Sequence, residues 1–144
     1  MDRFSAVHMY KYYIKNNPDS DVTYTLFKYT VSKFFKKSVI KILDGETFYL
    51  GHKLGTIRIK RVERDFSRPT IDWYETNKLK AEGISKHIYY TDDDWCRWCW
   101  EKNKAPLKNK SVYKFNPSEG RNGNKKALVK RLKTDEFAHL NYKF

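Results

Sequence analysis

Three stretches hold residue types that carry out chemistry in other proteins. Cys96-Arg-Trp-Cys99 has the spacing of half a zinc knuckle or of a redox pair. A structural zinc needs two more ligands, and the nearby candidates in sequence are His52 and His87. If the segment is a strand, the two sulfurs point to opposite faces, because side chains alternate along it. Two reduced thiols and no metal are expected. Asp92-Asp93-Asp94 could gather around Mg²⁺ for phosphoryl transfer, but adjacent carboxylates converge on one ion only through a tight turn, and no motif places a general base. Gly51 and Gly55 lack the Lys-Ser/Thr of a nucleotide-binding loop and read instead, with Gly45, as corners needing a positive backbone dihedral. No catalysis and no cofactor are expected.

Binding chemistry is better represented. Arg58, Lys60, Arg61, Arg64 and Arg68, followed by Pro69, form a cationic run that could grip a polyanion or an acidic partner. The plain alternative is an edge strand that its charges protect from aggregation, or a strand that pairs with a neighbouring subunit. Trp95, Trp98 and Trp100 with Tyr89 and Tyr90 could stack on single-stranded bases. The adjoining aspartates oppose phosphate there, which favours core packing and a subunit interface that also takes in Trp73.

The charge balance sharpens this contrast. Of 144 residues, 30 are Lys or Arg and 17 are Asp or Glu, a net charge of +13. Residues 22–69 and 105–144 each carry +7, whereas residues 70–104 carry −1 and contain all four tryptophans. The chain reads as a basic body with an aromatic, nearly neutral insertion. Aromatics make up 17% of residues, more than one small core hides, so some rings are expected at partner contacts. No apolar run of spanning length and no continuous apolar signal core occurs, so neither a membrane partner nor secretion is expected. The length suits one domain, 1–144, and two cysteines are too few for a disulfide scaffold.

Hydrophobic spacing places the elements. Phe4 to Ile14 predicts a short helix broken by Asn16-Asn-Pro-Asp-Ser. From Thr23, the residues Phe27, Val31, Phe34, Phe35, Val39, Ile42 and Leu43 recur at helical intervals with lysines largely elsewhere. Ser20, Asp21 and Thr23 offer capping oxygens, and Asp44-Gly45 ends this long helix. Glu46–Leu50 and Thr56–Val62 alternate and predict a hairpin, the second run continuing as the basic arm, whose charges argue against a buried central strand. Thr70–Trp73 and His87–Tyr90 read as strands, Trp95–Trp100 as part of a second hairpin, and Tyr113–Phe115 as a short strand. Lys125–Leu132 reads as a closing helix.

In that order the parts resemble the HU/IHF family of DNA-bending proteins. The resemblance rests on Asp44-Gly45-Glu46 after the long helix, Leu54-Gly55-Thr56-Ile57 at the corner, and Arg61, Arg64, Arg68 and Pro69 along the arm. Phe115 and Lys126-Ala127-Leu128-Val129 echo the family's closing segment. More narrowly, the chain is similar to the IHF-like ring proteins of crAss-like bacteriophages. Those share the Leu-Gly-x-Ile corner, an Ile-Asp-Trp after the arm (Ile71-Asp72-Trp73) and a late pattern matched by Trp100, Lys108, Asn109 or Lys110, Tyr113 and Phe115. The likeness spans about residues 20–69 and 113–133.

This resemblance implies an α+β domain of HU/IHF type, with the arm and an aromatic-rich β insertion at about 58–112. It also implies a non-enzymatic virion protein, made in the bacterial host cytoplasm, that forms a homo-oligomeric ring in the portal–tail connector beside other portal or tail proteins. The other reading is a dimer that bends double-stranded DNA. That reading needs a slim arm in the minor groove, which a Trp-rich, net acidic insertion would crowd and repel.

Overall fold

The computed structural model describes residues 5–51, 53–103 and 105–144. Phe4 and His52, named above as a helix residue and a ligand candidate, lie outside them. The first helix, α1, spans Ala6–Asn16, and α2 spans Tyr24–Leu43. Thr23 is the α2 cap, its Oγ1 accepting from the Leu26 N–H at 3.3 Å, while the Ser20 hydroxyl bonds instead to Tyr13. The α1–α2 hairpin is closed by Tyr10 and Tyr13, whose rings lie 5.4 and 5.3 Å from Phe27. The Tyr10 hydroxyl also donates to the Val22 carbonyl at 2.9 Å.

Among the described residues the sheet has three antiparallel strands in the order β1 (Phe48–Tyr49), β2 (Thr56–Glu63), β3 (Asp94–Glu101). Two sequence expectations are corrected here. The charged run is the central strand, not a free arm, and the tryptophan segment is its partner along the full length, from Thr56↔Glu101 to Glu63↔Asp94. The charges are tolerated because β3 brings carboxylates alongside: Glu101 for Arg58 and Asp94 for Arg61. Beyond the short β1, the C-terminal segment reaches β2, with the Arg61 N–H donating to the Lys143 carbonyl at 3.0 Å.

Three further strand readings fail. Ile71 and Tyr89 form one isolated bridge, which is all that remains of the strands expected at 70–73 and 87–90. Between them, Trp73–Ala81 is a helix, α3, because Asp72 accepts from the N–H groups of Tyr74 and Glu75 at 2.9 and 3.2 Å. Tyr113–Phe115 follows a 3₁₀ turn at Lys110–Val112 and joins no ladder, although Phe115 packs against the core. The last helix, α4, covers Asn124–Thr134 and leads to a 3₁₀ turn at Ala138–Asn141.

Strand register sorts the sheet into two faces. Phe48, Ile57, Ile59, Cys96 and Trp98 look toward α2 and α4 and join Ile42, Leu128 and Tyr142 in the core. Tyr49, Arg58, Lys60, Val62, Trp95, Arg97 and Cys99 occupy the other face, where Tyr49 and Trp95 are exposed.

Gly55 and Gly45 make the corners. Gly51 shares their positive φ, and the three values are 98° at Gly45, 71° at Gly51 and 95° at Gly55. A Cβ on Gly55 would lie 2.1 Å from the Glu101 carbonyl oxygen, so the turn passes against the end of β3 where only glycine fits. At Gly45 the same atom would meet the Asn141 carbonyl oxygen at 2.7 Å.

Candidate interaction surfaces

The cationic run does not present a single row of free charges. Arg58 donates from Nε and Nη2 to Glu101 Oε1 at 2.8 and 2.6 Å and also reaches the Lys143 and Phe144 carbonyls at 3.1 and 3.2 Å. That guanidinium holds the Glu101 carboxyl below the ordinary glutamate range. Arg61 lies on the inner face, bonded to Asp94 Oδ2 at 2.6 Å, with its guanidinium 4.6 Å from the Phe144 ring centre. Arg64 donates to the Asp92 carbonyl at 2.9 Å and lies 4.7 Å over Tyr90. Arg68 and Pro69 are exposed beyond the strand, and Lys60 sits on the open face.

Arg61, Arg64 and Arg68 border an open groove of about 1140 Å³ at the Asp94 end of the sheet. The same groove is lined by Glu63, Asp65, Asp92, Asp93, Asp94 and Glu136, so its charge is mixed and it does not funnel phosphate. Asp94 is committed to Arg61, while the Asp92 and Asp93 carbonyls accept from Arg64. Among the described residues, no group of three or more His, Cys, Asp or Glu is placed to hold a metal ion. Cys96 and Cys99 lie on opposite faces of β3, as their spacing on a strand requires, and are free thiols. Burial first, then Asp94, pushes the Cys96 thiol up, with Arg61 opposing.

The aromatic set divides by role. Trp98 is 8% exposed and donates its indole N–H to the Asn124 carbonyl at 3.0 Å. It belongs to its own chain's core, which corrects its placement at a subunit interface. Trp100 is half-buried and donates to the Leu54 carbonyl at 2.8 Å, locking the corner. Trp73, Tyr89, Tyr90 and Trp95 remain exposed. Tyr74, not singled out from the sequence, joins them, with Lys133 4.4 Å over its ring.

A second surface lies on α2. Its inward stripe runs Phe27, Val31, Phe34, Phe35, Ser38, Val39, Ile42 at helical spacing. Tyr10 and Tyr13 of α1 cover the Phe27 end, and the sheet with α4 covers Val39 to Leu43. Between these, Phe34 and Phe35 are 54% and 49% exposed. They touch each other and Phe34 meets Phe48 edge-on, at centroid distances of 5.6 and 6.0 Å.

Other positioning residues escaped the sequence reading. Thr76 is fully buried and its hydroxyl accepts from the Ile88 N–H at 3.0 Å, fixing the segment that carries Tyr89 and Tyr90. The signal for α3 was Asp72-x-x-Glu75, an N-cap pattern. Tyr142 donates to the Leu43 carbonyl at 2.7 Å and ties the C-terminus to α2; nothing local in the sequence announces that bond. No helix of the described residues is long and apolar enough to cross a membrane. No family model, curated protein or solved structure matches the chain.

Proposed function

We propose that this chain is a non-enzymatic structural subunit of HU/IHF type that repeats one contact to build a homo-oligomeric ring, in the portal–tail connector of a phage virion. The uncovered middle of the α2 stripe carries the reading. A long helix that leaves Phe34 and Phe35 half in water between two covered ends has room for one more element, and none of the described residues supplies it. Burying the exposed half of one such ring, roughly 100 Å² at about 25 cal/mol per Å², contributes about 2.5 kcal/mol.

A head-to-tail contact needs two different patches on one chain. Trp73 and Tyr74 on α3 are aromatic, exposed and on a different element from α2. They complement the α2 stripe as the second half of a repeating contact. The location in the virion rests on the resemblance of the corner, the Ile71-Asp72-Trp73 segment and the late aromatics to the phage ring proteins.

Sedimentation velocity of the purified protein tests the contact. The expected result is a species larger than a dimer for the native chain and a folded monomer for Phe35→Asp. A discrete dimer that bends duplex DNA, with Phe35→Asp again monomeric, would replace the ring with the DNA-bending reading, which the net charge of +13 favours. A native chain that stays monomeric at all concentrations would remove both.

A further inference from the structure

We infer that the β3 edge of the sheet, with Lys60 and Arg97 on its open face, binds single-stranded nucleic acid. The register sets Lys60 directly opposite Arg97. Like charges directly opposite on one sheet face destabilise the pair, and nothing in the register requires two cations there. An anion lying across them converts that repulsion into attraction. Glu101 is the carboxylate on this face among the paired positions, and Arg58 chelates it with two bonds.

Arg97 also borders a groove of about 350 Å³ between β3 and the segment 111–116. Its other walls include Trp100, Lys102, Tyr113 and Lys114, and no carboxylate among the described residues lines it. Lys102 lies 5.1 Å over the Trp100 ring and donates to the Tyr113 carbonyl, so the groove floor is a cation held on an aromatic plane. Tyr113 is 47% exposed. Cations that track a backbone, interleaved with rings that stack on bases, form the platform for single strands. A duplex hides its bases in the stack and offers this groove only phosphate, and an acidic peptide offers nothing to stack.

The acidic half of the tryptophan segment, Asp92 to Asp94, lies at the opposite end of β3 from Glu101 and Lys102. The repulsion that the sequence places beside the tryptophans is therefore displaced from this groove. The inference does not depend on the ring reading.

Fluorescence anisotropy of the full chain with labelled oligothymidylate, a duplex of equal length and polyglutamate is the test, run across a salt series. The expected order is oligothymidylate tightest, by roughly tenfold over duplex, with affinity falling as salt rises. Lys60→Gln with Arg97→Gln should weaken it at least tenfold without lowering the melting temperature, because a like-charge pair is removed. Tyr113→Ala should weaken it roughly fivefold or more through lost stacking. Lys36→Gln with Lys37→Gln on α2 removes the same charge elsewhere and should change it less than twofold. Equal weakening by the α2 pair, duplex or polyglutamate bound as tightly as oligothymidylate, or no binding at low salt would each overturn the inference.

Discussion

Two glycines with the same backbone sign show how much a single Cβ decides. At Gly55 a methyl group meets the Glu101 carbonyl at 2.1 Å, whereas at Gly51 nothing lies within 4 Å. Both alanine variants suffer the left-handed conformation, about 1–2 kcal/mol. Only Gly55→Ala must also push the corner off the end of β3. Urea unfolding should therefore show Gly51→Ala down by about 1 kcal/mol and Gly55→Ala down by more than about 2 kcal/mol. Equal losses would mean that the close approach to Glu101 carries no weight. The glycine pattern itself was legible at sequence level, because two glycines between alternating runs mark a turn. Which of them is crowded was not, since the crowding atom belongs to a residue more than forty positions away.

At the scale of elements, β3 presents one thiol to each face. Cys96 packs beside the core with its pKa raised by burial, while Cys99 shares the open face with Arg97 and Trp95. Iodoacetamide labelling followed by mass spectrometry should modify Cys99 well before Cys96, and mild oxidation should leave the pair unbridged within one chain. A Cys96–Cys99 disulfide forming without unfolding would contradict the strand. The pairing of this strand with the basic run could not be read locally. Tryptophan and arginine segments each alternate convincingly, but alternation names no partner, and cross-strand ion pairs to Asp94 and Glu101 exist only once the register is set. The missing α3 has a different cause. Trp73 and Tyr74 favour strands, and the Asp72 cap outweighed that preference.

At the scale of the whole molecule, the C-terminus closes the fold. Tyr142 is 3% exposed, and burial pushes its phenol up to about 12. The folded state thus holds a proton that the unfolded chain releases near the ordinary value of about 10. That contribution is complete below pH 10 and is lost as pH rises toward 12. Thermal melts should fall steeply over this window for the native chain. In Tyr142→Phe the alkaline fall should be shallower, and stability at neutral pH lower by roughly 1–3 kcal/mol, since the Leu43 carbonyl loses its donor. An unchanged alkaline slope in the variant would assign the transition to other groups.

The long helix with its cap and glycine stop, the glycine corner and the closing helix were determined by the sequence itself, whereas the aromatic segment read as an insertion is the full-length partner of the basic strand. Those three features depend on residues within a few positions of one another, where spacing and backbone preference act directly. Tertiary structure alone decided that the charged strand lies at the centre, that Trp98 is core while Trp95 is surface, and that Lys60 faces Arg97. It also left Phe34 and Phe35 uncovered in a stripe that the periodicity marks as inward. These outcomes turn on which distant segments meet, because burial and charge pairing are properties of contacts, and a hydrophobic period shows a face without showing what covers it.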